Sequence, residues 1–179
     1  MTQPIRIDIE GIPEVQAALA EMPLQAARAA KRAIALVAEY ARSAIVKEMA
    51  GQTGIKQSVF RDWRVKSRGI GGADRLVWGG YNPLKATYVA AQGELEKQLP
   101  PNNLDWGAKA GKYLFQGGIA LRMKSGHVGI FKRVAGKLTE QYVTIPEMTT
   151  VAAIIRGEAG SRLATAFAHE MRYEMSKTA

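Results

Sequence analysis

Residues 24–50, LQAARAAKRAIALVAEYARSAIVKEMA, contain neither glycine nor proline and are rich in alanine, the residue that costs least in a helix interior. Ala27, Ala30, Ile34, Val37, Ala41, Ile45 and Met49 recur at steps of three and four, drawing one apolar stripe, while Arg28, Arg32, Glu39, Arg42 and Lys47 cover the rest of the surface. Glu48 falls inside the stripe, so the last turn is expected to reach solvent. At about 1.5 Å per residue this is a scaffold helix ~40 Å long, and Gly51 is expected to stop it. Everything else in the chain has to be arranged around that rod.

Upstream, IRIDI (5–9) alternates apolar and charged residues and reads as a short strand ended by Gly11. IPEVQAALAEM (12–22) is a short helical stretch, and Pro23 disfavours helical geometry at Met22. Downstream, GQTG (51–54) reads as a turn, with Thr53 or Ser58 placed to cap a short helix through Trp63. Arg64–Lys66 and RLVWGG (75–80) look like two strands of a hairpin. The glycine-rich SRGIGGAD (67–74) between them is too long for a tight two-residue turn, so a mobile loop is expected. Residues 81–118 show no clear period. They are broken by Pro83, Gly93, Pro100, Pro101, Asn102-Asn103, Gly107, Gly111 and Gly117-Gly118, yet hold Tyr81, Tyr88, Trp106, Tyr113 and Phe115. Such a segment is usually a functional loop or an insertion, and its aromatics suggest that parts of it dock on something.

Pattern returns at 119–145, where IALRM, VGIFKRV and LTEQYVTI read as three antiparallel strands. Turn signals lie at Ser125-Gly126 and Ala135-Gly136-Lys137, and Pro146 closes the last strand. From 148 to 178 helical spacing resumes. Gly157 and Gly160 predict a kink or break, after which Leu163, Phe167, Met171 and Met175 fall at four-residue steps. The expected fold is α+β: an antiparallel β-sheet or meander packed against one long α-helix and a C-terminal helix.

Composition narrows the chemistry. The 179 residues contain no cysteine and two histidines, which removes disulfide frameworks, thiolate metal sites, cysteine nucleophiles and multi-histidine centres. The opening MTQPIRIDIEG has acids where a secretory signal needs an apolar core, and no charge-free run approaches the ~18 residues of a membrane span. His169-Glu170 are helix neighbours that do not face each other. His127 follows a turn with no acid between Trp106 and Leu138 to orient it. SRGIGGAD and WGGYNP match neither GxxxxGK[ST] nor GxGxxG. Asp8 and Glu10 share one face of a strand, most simply a solvated face. No catalytic set and no cofactor site is expected.

The positive charge is more telling. Lys and Arg number 25 against 16 Asp and Glu, a net +9. From 106 to 139 there are seven basic residues, Lys109, Lys112, Arg122, Lys124, Lys132, Arg133 and Lys137, and no acid. Arg122, Lys124, Lys132, Arg133 and Lys137 therefore make candidate interface or DNA-facing residues: the solvent face of a sheet, the positive half of a protein interface, or a nucleic-acid surface. An open meander also leaves two edges that have to be covered, charged or paired.

The run SGHVGIFKRVAGKLTEQYVTIPEMTTVAAII (125–155) sets a glycine turn before a strand ending in apolar residues and Arg. A short polar turn, a strand closed by Ile-Pro and a helix follow. With Gly126, Phe131, Arg133, Gly136, Ile145 and Pro146 in those places, it resembles the minor tail protein Z family of tailed bacteriophages. The N-terminal half is similar in layout: an Ile-rich opening, a long Ala-rich helix, then TGIKQSVF (53–60). The resemblance covers roughly 5–66 and 117–178. It implies a single tail-completion-like domain over 1–179, with a divergent loop or insertion at about 67–116.

The resemblance further implies a structural protein without enzymatic activity, resident in the virion tail and assembled in the host cytoplasm. It would complete the head-proximal end of the tail and help join it to the head. Its partners would be further copies in a ring, commonly sixfold, together with the tail tube and head-neck proteins, and passing DNA through non-specific contact. A basic nucleic-acid-binding protein is the alternative.

Overall fold

The computed structural model describes residues 4–5, 13–80, 82–100, 106–145 and 149–177. In chain order the first elements are β1 (Pro4–Ile5), α1 (Pro13–Glu21), α2 (Pro23–Thr53), α3 (Gln57–Trp63), β2 (Val65–Gly71), β3 (Asp74–Gly79) and β4 (Leu84–Lys85). Two 3-10 turns follow at Ala86–Tyr88 and Glu96–Gln98, then β5 (Gly107–Ala110), β6 (Tyr113–Gln116), β7 (Ile119–Arg122), β8 (Val128–Val134), β9 (Lys137–Glu140), β10 (Tyr142–Val143) and α4 (Thr149–Ser176). The fold is α+β, with small antiparallel sheets, one long helix and a C-terminal helix. Two compact units divide the chain: a helical unit from 2–48, 60–80 and 147–179, and a β-rich unit from 49–59 and 81–146.

In the helical unit, Pro23 holds the first position of α2, where its missing N–H is no loss, and Met22 is the expected break between α1 and α2. Ala26, Ala29, Ala33 and Val37 of α2 pack with Ala159, Leu163 and Phe167 of α4. Alanine on one helix lets the larger side chains of the other come close, and each such large side chain stabilises by roughly 1.5–3 kcal/mol when buried. The buried stripe differs from the expected one in its first turns. Ala26, Ala29 and Ala33 are fully buried, whereas Ala27 is exposed and Ala30 and Ile34 are only half-buried. Alanines all around those turns carry almost no amphipathic signal, so the partner helix chooses the face.

Two expected helix boundaries are also corrected. Gly51 does not stop α2, which runs to Thr53. The buried Met49 and Thr53 outweigh the roughly 1 kcal/mol cost of one exposed glycine. The residue that ends it is Gly54, at φ 70°, whose N–H donates to the Ala50 carbonyl. Thr53 does not cap α3; its hydroxyl donates to the Met49 carbonyl and accepts from the Ile55 N–H. Likewise α4 passes Gly157 and Gly160 without a break, because Ile155, Ala159 and Leu163 on either side are buried. Its four-residue stripe also ends early. Each four-residue step overshoots a turn by about 40°, so after Met171 the inward position is Glu174, and Met175 is about half exposed. Glu174 is tolerated there because Arg32 donates to both Glu170 (2.5 Å) and Glu174 (2.6 Å).

The sheet of this unit runs β1-β3-β2. Its hairpin corrects the expected long loop. Both strands extend into SRGIGGAD, leaving only Gly72 and Ala73 as the turn, with a bulge between Gly69 and Gly71 that leaves Ile70 exposed. Of the strand expected over 5–9, only Ile5 lies in the described residues, paired with Val77. Asp8, Glu10, Tyr81, Pro101, Asn102, Asn103 and Pro146 lie outside them.

In the β-rich unit, three sheets gather around Ala86, Leu95, Ala108, Ala110 and Ile130: β10-β4, β5-β6 and β7-β8-β9. The stretch without period is ordered here by side chains bonded to backbone. Gln98 donates to the carbonyls of Glu94 and Lys109 and accepts from the Lys109 N–H at 2.8 Å, standing in for a strand partner. The Glu94 carboxylate accepts from the N–H groups of Ala91 and Gly111. Gly107, at φ 140°, admits no side chain, since a Cβ would sit 2.3 Å from the Phe115 carbonyl oxygen. Tyr113 and Lys112 donate to the Thr53 and Gln52 carbonyls, so a cation meets the negative end of α2. Of the segment's aromatics, Tyr113 and Phe115 are half-buried, while Tyr88 and Trp106 stay exposed. The meander forms as expected through β9. The third strand then splits at Gln141, and Tyr142–Val143 leaves to pair with Leu84–Lys85.

Candidate functional site

The β8–β9 hairpin changes character along its length. Gly129, Ile130 and Phe131 are buried, whereas every residue from Lys132 to Thr139 is exposed. Ile130 reaches the core of its unit, and β7 flanks only the root, since its pairing ends at Ile119 opposite Phe131. The outer half is thus a two-stranded ribbon in water. Ala135 (φ 47°) and Gly136 (φ 80°) close it, both left-handed as a two-residue hairpin turn requires.

Strand register assigns the charges to faces, because directly opposed residues of antiparallel strands share one. Lys132 lies opposite Thr139 and Val134 opposite Lys137; Arg133 lies opposite Leu138. Lys132, Val134 and Lys137 therefore share one face, and Arg133 and Leu138 the other. Each ribbon face presents cation beside aliphatic side chain, with Val134 53% and Leu138 47% exposed. Arg122 is on the Lys132 face but at the far end of the meander, opposite Val128, where its guanidinium donates to the Gly126 carbonyl. Lys124 sits in the 123–127 turn. The five candidate cations are therefore not one patch: three make the ribbon and two the opposite end of the sheet. The other motif positions are structural in placement. Gly126 (φ 83°) and Gly136 turn the chain, and Phe131 and Ile145 are buried.

A cluster that the sequence reading missed holds the root of the ribbon. Glu140 lies opposite Phe131; its Oε1 is 2.8 Å from His127 Nε2 and its Oε2 2.9 Å from Lys85 Nζ. Burial works to raise the Glu140 carboxyl, but the hydrogen bonds from Lys85 and His127 outweigh it and hold it below the usual glutamate range. Gly129 makes the room, since a Cβ there would stand 3.1 Å from His127 Nε2 and 3.2 Å from Glu140 Oε1. The acid that orients His127 lies just past the acid-free stretch. The two-residue turn at 135–136 was the signal that could have found it, because that turn sets Glu140 opposite Phe131. The cluster ties together the start of β8, the end of β9 and β4 as a latch.

Elsewhere, Tyr40 donates to Glu158 at 2.6 Å beneath the Arg162 guanidinium, which stacks 3.6 Å from the tyrosine ring centroid. Tyr40 and Arg162 border a shallow groove between α2 and α4 of about 480 Å³, lined also by Leu36, Val37, Ala166 and His169. His169 is solvent-exposed, its Nδ1 3.5 Å from Glu170 Oε1. Among the described residues no three His, Asp or Glu side chains converge as a metal site would need, and no helix is long and apolar enough to cross a membrane.

A family model described as prophage minor tail protein Z (GPZ) matches residues 9–178, a span that includes the whole ribbon and the segment 67–116. No curated protein and no solved structure matches the chain.

Proposed function

The chain belongs to the prophage minor tail protein Z family and is a structural component of a phage tail; from that premise we propose that it completes the head-proximal end of the tail and helps join it to the head. The observation that carries this is the match over 9–178. On this reading the protein works by self-assembly and contact with tail-tube and head-neck proteins, in the virion and beforehand in the host cytoplasm, and it performs no catalytic step. It acts as one tail-completion-like domain in which 67–116 is an elaboration, and its copies form a ring, with six copies as the size to test. Two features support a role in assembly: an exposed ribbon with aliphatic side chains on both faces, and a β7-β8-β9 sheet whose outer strands β7 and β9 have no further strand partner among the described residues.

Light scattering coupled to size exclusion, over a wide concentration range and with and without purified tail tubes, tests the reading. A discrete oligomer, alone or templated on tubes, is the expected result. A chain that stays monomeric and does not bind tubes or neck proteins overturns it.

A further inference from the structure

The outer hairpin, 132–139, carries cations on both faces and no acid to answer them. Lys132, Arg133 and Lys137 form no ion pair among the described residues, while Glu140 at the root is already held by Lys85 and His127. The surplus belongs to the whole β-rich unit. Residues 49–59 and 81–146 contain ten Lys and Arg against four Asp and Glu; the helical unit has fifteen against twelve. A second copy brings the same excess of positive charge. Glu39, Asp62, Glu158, Glu170 and Glu174 are each paired with an arginine of their own chain, and two copies at +9 repel.

Shape then selects among polyanions. A flat acidic surface satisfies one face of a ribbon, whereas cations on both faces need negative charge on both sides, as in a groove walled by phosphates. Strands about 4.8 Å apart and four residues long, ~13 Å, fit the major groove of duplex DNA, which is about 12 Å wide and admits a two-stranded ribbon. The geometry points to residues 132–139 as a sequence-independent DNA-binding ribbon, with Lys132, Arg133 and Lys137 on phosphates of the two groove walls. This goes beyond tail completion and does not depend on it.

The test is fluorescence anisotropy of the full chain on a labelled duplex of about 30 base pairs across a salt series. Three phosphate contacts at about 0.9 each give a log–log slope contribution near −2.7, or roughly a 40-fold fall in affinity between about 50 and 200 mM salt. K132Q/R133Q/K137Q removes that contribution. K31Q/K47Q/K56Q, which has the same net charge, leaves it in place, and K132R/K137R retains binding. Equal weakening by both glutamine triples overturns the proposal in favour of diffuse charge. So does a salt-independent affinity. A ribbon triple that keeps DNA affinity but no longer co-sediments with tail tubes also overturns it, and assigns the ribbon to a protein partner instead.

Discussion

The helical unit and the β-rich unit hold themselves together by different means. In the first, the core is a repeat: Ala26, Ala29, Ala33 and Val37 against Ala159, Leu163 and Phe167, with Arg32 as a polar clasp on Glu170 and Glu174. In the second, the small core around Ile130 is backed by single devices that occur once. Gln98 replaces a strand, Glu94 ties Ala91 to Gly111, glycine alone fits at 107, and Glu140 latches three elements. A repeat spreads stability over many similar contacts, so its sequence trace is a period. Singular bonds leave no period, and each matters through the buried group that it satisfies.

The largest effect should come from the repeat. Phe167→Ala removes the biggest side chain between α2 and α4 and is expected to cost about 3–5 kcal/mol. Chemical denaturation would show it, and a loss below about 1 kcal/mol would mean the helix pair is not carried by that contact. Next comes Gln98→Ala. It strips the partner from the Lys109 N–H and carbonyl, and about 1–3 kcal/mol is expected. Hydrogen exchange at the Lys109 amide should rise well before global unfolding; unchanged protection there would break the claim that a side chain substitutes for a strand. The smallest effect is a gain. Ala135 is the one non-glycine residue at positive φ among those described, so Ala135→Asn, which creates Asn-Gly in a two-residue turn, should stabilise by about 1 kcal/mol. A lowered melting temperature would mean that the turn is not the one described.

Legibility followed the same division. The long helix, the C-terminal helix, the meander and its turn at 135–136 could all be read, because periods of 3.6 and 2 and glycine turns are local signals. Local pattern misleads where its signal is empty or outweighed. The alanine-rich turns of α2 gave no face. Glycine at 51, 157 and 160 predicts a break, but buried neighbours carry the helix through each. The glycines of SRGIGGAD predict a loop, whereas its backbone pairs almost to the tip. The candidate cations were all identifiable, but not their grouping, because the face of each depends on strand register.

By itself the sequence determined the α+β class, the two main helices, the excess of positive charge and the family, since each rests on residue type and order along the chain. Only the tertiary structure decided which alanines of α2 are buried, that Tyr142–Val143 leaves the meander for Leu84–Lys85, that Glu140 lies between His127 and Lys85, and that three of five cations stand on one exposed ribbon. Those facts depend on distant segments meeting. Lys85 and Glu140 are 55 positions apart, and no local preference in either encodes the contact.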